Sequence, residues 1–142
     1  MDQWIDYRTT VFVVGNEACG PADQGGKRLA SFAVITAWNP EGQIQSRETN
    51  DLFDRQLTRR LESIASPKVR ADGCSPDFKH REPGWAVGVP KEQAVEIGRE
   101  FGQVAIFWVE ANTLFLLPCI DKSHPAEAIG SWGKACRKSV AL

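Results

Sequence analysis

The side chains best suited to binding chemistry follow directly on an apolar segment. Residues 32–35 are apolar, and Thr36, Trp38 and Asn39 come next, before Pro40 closes the segment. An indole ring stacks on flat groups, and an asparagine amide offers both a donor and an acceptor. Because strand ends hold such groups rigidly at the edge of a core, the pattern predicts a pocket wall here. The alternative is structural: Trp38 belongs to the core, and Asn39 bonds its own backbone in a turn.

Further polar candidates stand at other junctions between apolar and polar sequence. Asn50 lies where a helix is predicted to begin, so its simplest role is to cap the first turn. A helix N-terminus also attracts anions, and a phosphate or carboxylate would sit between Asn50 and Asn39 if the turn brings them together. Glu82 and Trp85 flank a Pro-Gly bend, and Gln103 follows a helix stop, where its structural role is to bond loose carbonyl groups. We expect these junctions to share one ligand-binding cleft.

His80 and Glu82 are the candidates for catalysis. They are two residues apart, which places them on the same side of an extended segment. Such a pair can act as a general base with an orienting carboxylate, or supply two metal ligands. A third ligand is missing, so no metal is predicted. The alternative is a solvated charged loop, because Lys79 and Arg81 interleave with the pair.

Length and charge exclude several classes of protein. The 142 residues suit one domain with its own core. The formal net charge of −1 argues against a nucleic-acid partner, even though Arg55, Arg59 and Arg60 form a modest basic stripe. The N-terminal residues lack the basic and apolar regions of a signal peptide, and no apolar run could span a bilayer. We therefore expect no membrane association and a cytoplasmic location.

The cysteines and the glycine-rich loop predict neither a metal nor a cofactor. Four dispersed cysteines, Cys19, Cys74, Cys119 and Cys136, form no C-x-x-C pair, so we expect free thiols, no disulfide and no structural zinc. Residues 20–28 resemble a phosphate-binding loop only superficially, because Pro21 takes a glycine position and a strand follows in place of a helix. No G-x-G-x-x-G motif is present.

The apolar patterns predict an α+β fold. Alternating or continuous apolar runs predict strands at 7–14, 29–38, 69–71, 85–89, 104–109 and 113–117. Helical spacing predicts a helix over residues 50–65, with Phe53, Leu57, Leu61 and Ile64 facing inward, and a second helix over 90–101. Residues 72–83 are expected to form a loop. The result is a mixed, largely antiparallel sheet with two helices, a ferredoxin-like βαββαβ unit with extra strands.

The apolar pattern fades after Pro118. We therefore expect a single α+β domain over residues 1–118, and a C-terminal extension over 119–142 that packs on the domain or trails from it. The basic end of that extension, with Lys134, Arg137 and Lys138, is typical of a flexible or peripheral tail.

Several sequence blocks together resemble a known family. They are Y-R-x-T at 7–10, V-I-T-A-W-N-P at 34–40, E-x-N at 48–50, E-P-G-W at 82–85 and F-G-Q-x-A-I-F at 101–107. In this order they resemble the bacterial family called domain of unknown function 3293. The resemblance runs from the first strand to Phe115 and supports the boundaries and the motifs above. It implies no reaction.

Two functions remain open at this point. The favoured one is a small domain that binds, and could act on, a small polar or anionic ligand such as a nucleotide-like molecule. The alternative is a regulatory module whose sheet edge, basic helix or tail contacts a protein partner. Polar side chains beside aromatic ones at element ends favour the first.

Overall fold

A computed structural model describes residues 7–121 and 123–138 of the chain. In this part, no helix is long and apolar enough to cross a membrane. Nine strands and three α-helices are assigned within the described residues: β1 (Val11–Val14), β2 (Ser31–Thr36), α1 (Arg47–Glu62), β3 (Lys68–Cys74), β4 (Arg81–Glu82), β5 (Gly84–Val87), α2 (Lys91–Glu100), β6 (Ala105–Glu110), β7 (Thr113–Pro118), β8 (Glu127–Ser131), α3 (Trp132–Ala135) and β9 (Cys136–Lys138).

The strands form one mixed sheet in the order β8-β7-β6-β2-β5-β3-β1-β9, with β4 paired to β3. Neighbouring strands are antiparallel except β1 and β9, which are parallel. The predicted α+β class with a largely antiparallel sheet is therefore confirmed. Its central strands, β6-β2-β5-β3, are connected through α1 and α2, an order compatible with the ferredoxin-like unit.

Helix α1 packs on the sheet with the predicted face. Leu57 and Leu61 are fully buried, as their spacing indicates. The predicted start is wrong by three residues, because Ser46 caps the helix: its hydroxyl accepts a hydrogen bond from the backbone N–H of Thr49. Asn50 therefore lies inside the first turn and is not the cap. Helix α2 begins after Pro90 and ends before Gly102, close to the prediction.

The sheet curls strongly around its concave face. Strands β1 and β6 are four places apart in the sheet, which would separate them by about 19 Å if it were flat. Yet Phe12 of β1 and Phe107 of β6 make an edge-to-face contact with ring centroids 4.8 Å apart. The helices α1 and α2 cover the opposite, convex face. Side chains from strands on opposite sides of the concave face therefore pack against one another and form an apolar interior there.

Trp132 fills one end of that interior. It is fully buried and lies with its ring centroid 5.0 Å from that of Phe12 and 5.4 Å from that of Phe32. Its indole N–H donates to the carbonyl oxygen of Cys19 at 2.6 Å. The expected flexible or peripheral tail is therefore wrong for residues 127–138, because β8 pairs with β7, β9 pairs with β1, and the segment supplies a core tryptophan.

The cysteine prediction is partly wrong. Cys19 and Cys136 form a disulfide that joins residues 117 positions apart, while Cys74 and Cys119 are free and buried. Sequence spacing gave no sign of this pairing, because the loop after β1 meets the start of β9 only once β1 and β9 pair in the sheet. The cytoplasmic location stays a prediction.

Two strand predictions also need correction. The first strand begins at Val11, and Tyr7 and Arg8 lie in a helical turn. Within the segment 72–83, residues 72–74 continue β3 and residues 81–82 form β4, so the expected loop is a hairpin with its turn at 75–80. One side of this hairpin borders a cleft.

Candidate functional site

A cleft of about 850 Å³ opens at the end of the concave face opposite Trp132. Strand β2 illustrates the layout, since Phe32 packs on Trp132 while Val34 and Thr36, further along the same face, line the cleft. Its aliphatic and aromatic walls come from the segment before β1, the end of β2 and the start of β6. Its polar groups come from the 38–44 turn, the β3–β4 hairpin and the segment after α2. The residues that line it include Tyr7, Thr36, Trp38, Asn39, Ile44, Cys74, Lys79, His80, Arg81, Glu82, Gln103 and Phe107.

Asn39 is the centre of a polar network at the inner end of the cleft. Its backbone is left-handed, with φ 49°, a conformation that asparagine tolerates better than most residues. Its backbone N–H donates to Oδ1 of Asn50 at 2.9 Å, and its own Oδ1 accepts from Nδ2 of Asn50 at 2.9 Å and from the N–H of Gln45 at 3.0 Å. Since Oδ1 is committed to these donors, Nδ2 is forced to face the cleft.

Nδ2 of Asn39 donates to Oε1 of Glu82 at 3.0 Å. Burial raises the pKa of the Glu82 carboxyl, and the hydrogen bond from Asn39 offsets only part of that rise. Within the described residues Glu82 forms no salt bridge, because neighbouring Arg81 pairs with Asp72 at 2.8 Å. Among the described residues, the Glu82 carboxyl in the cleft thus has no cation paired with it.

The bend that carries Glu82 is required by close packing. A Cβ on Gly84 would lie 2.7 Å from the carbonyl oxygen of Ile35, so a side chain here would separate β5 from β2. The hydroxyl of Thr36 donates to the carbonyl oxygen of Pro83 at 2.9 Å and accepts from the N–H of Trp38 at 3.1 Å. Thr36 therefore ties the end of β2 to the bend.

The segment after α2 docks on the same turn. Gly102 is left-handed, with φ 66°, and its carbonyl oxygen accepts from the N–H of Glu41 at 2.6 Å. Nε2 of Gln103 donates to the carbonyl oxygens of Trp38, at 3.1 Å, and Phe101, at 3.2 Å. Gln103 therefore performs the structural role considered for it and also lines the cleft.

Trp38 carries an unsatisfied donor. Its indole Nε1 is buried and has no acceptor, and it is the one such side-chain atom in residues 7–121 and 123–138. Buried N–H groups are almost always paired, so an exception calls for an explanation. Other atoms of Trp38 line the cleft, whereas Nε1 itself is closed off from it.

The rim of the cleft is cationic. Lys79, His80 and Arg81 are exposed and belong to the β3–β4 hairpin. Lys79 makes no salt bridge in the part of the chain that the structure describes. His80 and Glu82 both line the cleft, but no hydrogen bond joins them among the described residues. For the hypothesis of a histidine base with an orienting carboxylate, His80 and Glu82 thus line the same cleft but make no direct contact.

The sequence-derived residues divide into two groups. Thr36, Trp38, Asn39, Glu82 and Gln103 line the cleft, and the three predicted junctions meet there through hydrogen bonds. Asn50 lies behind Asn39, and its direct bonds to Asn39 leave no gap for an anion between them.

Trp85 does not reach the cleft, because it lies on the convex side of the sheet. There its indole N–H donates to Thr58 at 3.1 Å, and the guanidinium of Arg70 stacks 4.6 Å above the ring. The alternation of side chains along β5 sends Trp85 away from the interior.

Some lining residues were not foreseen. Tyr7 and Phe107 add aromatic walls, Cys74 lies beside the hairpin, and Ile44 is 91% exposed at the border. No local pattern marks these positions, since they come together through the curl. Lys79 and Arg81 were visible in the sequence but read as part of a solvated loop. Within the described residues no group of three His, Cys, Asp or Glu side chains is placed to hold a metal ion.

Comparison with known proteins gives one family assignment. A family model described as "Protein of unknown function (DUF3293)" matches residues 35–106, half of the chain. The match contains the turn, the bend and the segment after α2 that meet at the inner end of the cleft. Searches of the curated proteins and of the solved structures give no match.

Proposed function

The chain belongs to the DUF3293 family, and from this starting point we propose that its cleft binds a small organic anion of nucleotide-like size and shape. The observation that carries the proposal is the composition of the cleft, which combines aromatic walls, a prearranged polar group and a cationic rim. Small-molecule sites are typically concave and mostly apolar, with a few polar groups that fix orientation. A volume of about 850 Å³ is in the range of such sites.

The aromatic walls and the rim favour a flat molecule with an anionic group. Tyr7, Trp38 and Phe107 offer ring surfaces on which a heterocycle can pack. The ammonium group of Lys79 and the guanidinium of Arg81 lie at the opening, where an attached phosphate or carboxylate would meet them. Arg81 is already held by Asp72, so Lys79 is the cation with the most freedom to engage a ligand.

The prearranged network supports ligand binding over a purely structural role. Asn50 and Gln45 fix Asn39, and Asn39 in turn fixes Glu82. A half-buried carboxyl without a cation costs free energy that packing alone does not recover. Such costs are concentrated at functional sites, where a ligand or reaction uses the group. Acid–base chemistry by Glu82 and His80 remains a hypothesis within this proposal.

The second candidate is the interaction module. Ile44 and Phe78, which are 91% and 53% exposed, belong to the two segments that border the cleft. Exposed apolar side chains on segments that border a cleft suit a contact surface for a protein. If this candidate is right, neither the unaltered chain nor any variant binds a small molecule. Ile44→Ser and Phe78→Ser should then abolish association with a protein partner.

Calorimetric titration with nucleoside monophosphates and their neutral nucleosides tests the proposal. We expect the monophosphate to bind about tenfold more tightly than its nucleoside, the size of one charge-assisted contact. Lys79→Ala should remove most of this difference, whereas Lys27→Ala, an exposed lysine on another loop, should leave it unchanged. Absence of binding by every nucleotide and nucleoside at millimolar concentration would contradict the proposal.

A further inference from the structure

Two oxygen atoms at the inner end of the cleft have no hydrogen-bond donor among the described residues. One is Oε2 of Glu82, whose other carboxyl oxygen accepts from Asn39. The second is Oε1 of Gln103, a side chain that is 5% exposed and whose Nε2 uses both of its hydrogens on the carbonyl oxygens of Trp38 and Phe101. In the described part of the chain, Nε1 of Trp38 is the one buried side-chain atom without a partner. Neither of the two oxygens is therefore sealed off, and water can reach both.

The register of the β3–β4 hairpin directs the side chain of Glu82 to the concave face. Glu82 lies directly opposite Gly73. Opposite residues of an antiparallel pair share a face of the sheet, and so do residues two apart along one strand. Ala71, two residues before Gly73, is fully buried in the concave interior, so Glu82 points to that side as well. Gly73 brings no side chain to the position beside the carboxyl group, which leaves the cleft open there.

The carboxyl group of Glu82 lacks a positive partner within the described residues. No salt bridge includes it, and the neighbouring Arg81 is paired with Asp72 at 2.8 Å. Burial raises the pKa of the Glu82 carboxyl, and the hydrogen bond from Asn39 opposes that rise without a contribution from a cation. Carboxylates that are withdrawn from water are normally paired with a cation. A ligand that enters the cleft can supply the missing charge.

Building on the proposed ligand site, we infer that Glu82 and Gln103 bind a positively charged nitrogen of the ligand, which is then an organic anion with an ammonium-type group at its other end. An ammonium group has three N–H donors and no acceptor, which suits a pair of free oxygen acceptors of which one is charged. Lys79, exposed at the rim, meets the anionic group. The reverse orientation places a phosphate or carboxylate against Glu82, where like charges repel.

Three aryl phosphates that differ in one group test this inference by calorimetric titration. They are the phenolic phosphate esters of tyramine, tyrosol and para-ethylphenol, which share a flat ring and a phosphate but end in an ammonium, a hydroxyl and a methyl group, respectively. We expect the tyramine ester to bind about tenfold more tightly than either of the others, the size of one charge-assisted contact. The tyrosol ester separates the effect of the charge from that of a neutral donor.

Three variants of the full chain assign the two ends of the ligand. Glu82→Gln keeps an acceptor for Asn39 but removes the charge, so it should abolish the preference for the tyramine ester and change the affinity for the ethylphenol ester little. Lys79→Ala should weaken all three esters alike and keep the preference, because it acts on the phosphate end. Glu62→Gln removes the same charge from the exposed side of α1 and, as the matched control, should change no affinity.

The outcomes distinguish this inference from the proposed function. Equal affinity of the three esters, or a preference for the tyramine ester that survives Glu82→Gln, would overturn the ammonium site and leave the anion site standing. Binding of nucleoside monophosphates without binding of any ester would overturn it in the same way. Failure of the esters and the nucleotides alike would overturn both. The comparison of the esters uses the unaltered protein, so it decides the question even if a variant does not fold.

Discussion

The two ends of the concave face are built from similar side chains, but they differ in whether their buried polar groups are hydrogen-bonded. At the closed end, formed by Phe12, Phe32, Trp132 and the Cys19–Cys136 disulfide, the tryptophan is fully buried and its N–H has an acceptor. At the cleft end, Trp38 has a buried N–H without an acceptor. The same residue type is thus satisfied at one end and unsatisfied at the other.

The difference separates a completed part of the core from an open one. A protein interior normally pairs its buried polar groups and fills its volume. The closed end follows that rule. The cleft end departs from it in its volume, in the unpaired Nε1 of Trp38 and in the half-buried carboxyl of Glu82, which is why we place the proposed ligand site there.

The closed end should show the largest effect on stability. Trp132→Ala removes a fully buried indole that packs on Phe12 and Phe32, and we expect it to lower the free energy of unfolding by about 3–5 kcal/mol. Urea denaturation measures this loss. Trp38→Phe, the control at the other end, should cost far less because it abandons no hydrogen bond. Similar losses in the two variants would erase the proposed distinction.

The disulfide should contribute the next largest effect. Joining Cys19 to Cys136 restricts the unfolded chain over a long loop, so Cys19→Ser with Cys136→Ser should lower the free energy of unfolding by about 2–4 kcal/mol. Thiol titration under denaturing, non-reducing conditions should find two free thiols. We expect the disulfide to stabilise the closed end without affecting the cleft. The nucleotide affinity of the double variant should therefore stay within about twofold of wild type at a temperature where both proteins are folded.

Asn39 should have a smaller and mixed effect. The structure gives Asn39 a left-handed backbone and bonds to Asn50 and Gln45, so Asn39 holds its turn as well as lining the cleft. For Asn39→Ala we expect a loss of about 1–3 kcal/mol in the free energy of unfolding, together with weaker ligand binding. Thermal unfolding and titration on the same samples test this. A loss of binding at unchanged stability would show that the network is not structural.

Glu82 should show the smallest effect on stability, and one that depends on pH. Its pKa is raised above the ordinary value of 4.5, so the folded state disfavours the ionised form. The penalty is absent at pH values below 4.5, grows as the pH rises through the folded pKa, and is then constant. Glu82→Gln should therefore stabilise the protein slightly at neutral pH and not at acidic pH. A stabilisation by Glu82→Gln that shrinks as the pH rises would contradict a raised pKa of Glu82.

The sequence predicted most elements because their apolar spacing is local. The helix with Leu57 and Leu61, the second helix and the β6–β7 hairpin follow from residues close together in the chain. The family blocks also marked Asn39, Glu82 and Gln103, because their junctions are punctuated by proline and glycine. These signals need no knowledge of the tertiary fold.

The failures share a physical cause, which is contact between segments that are distant in the chain. The burial of Trp132 and the walls formed by Tyr7 and Phe107 depend on β1 approaching β6 across the interior, and the Cys19–Cys136 bond depends on β9 pairing with β1. The periodicity of a segment shows which of its faces is apolar, but it does not show which other segment packs against that face. The prediction that Trp85 lines the cleft was wrong for a local reason. Side chains alternate between the two faces along a strand, and that alternation alone could have excluded Trp85 from the concave side.

The most direct test of the central claim follows the indole N–H signals of the five tryptophans by NMR during titration with guanosine monophosphate. Trp38→Phe and Trp132→Phe assign the two decisive signals. We expect the Trp38 signal to move because its ring lines the cleft, while the Trp132 signal, already bonded to Cys19, stays in place. A Trp38 signal that does not move, or a larger shift at Trp132, would contradict a ligand site at the open end.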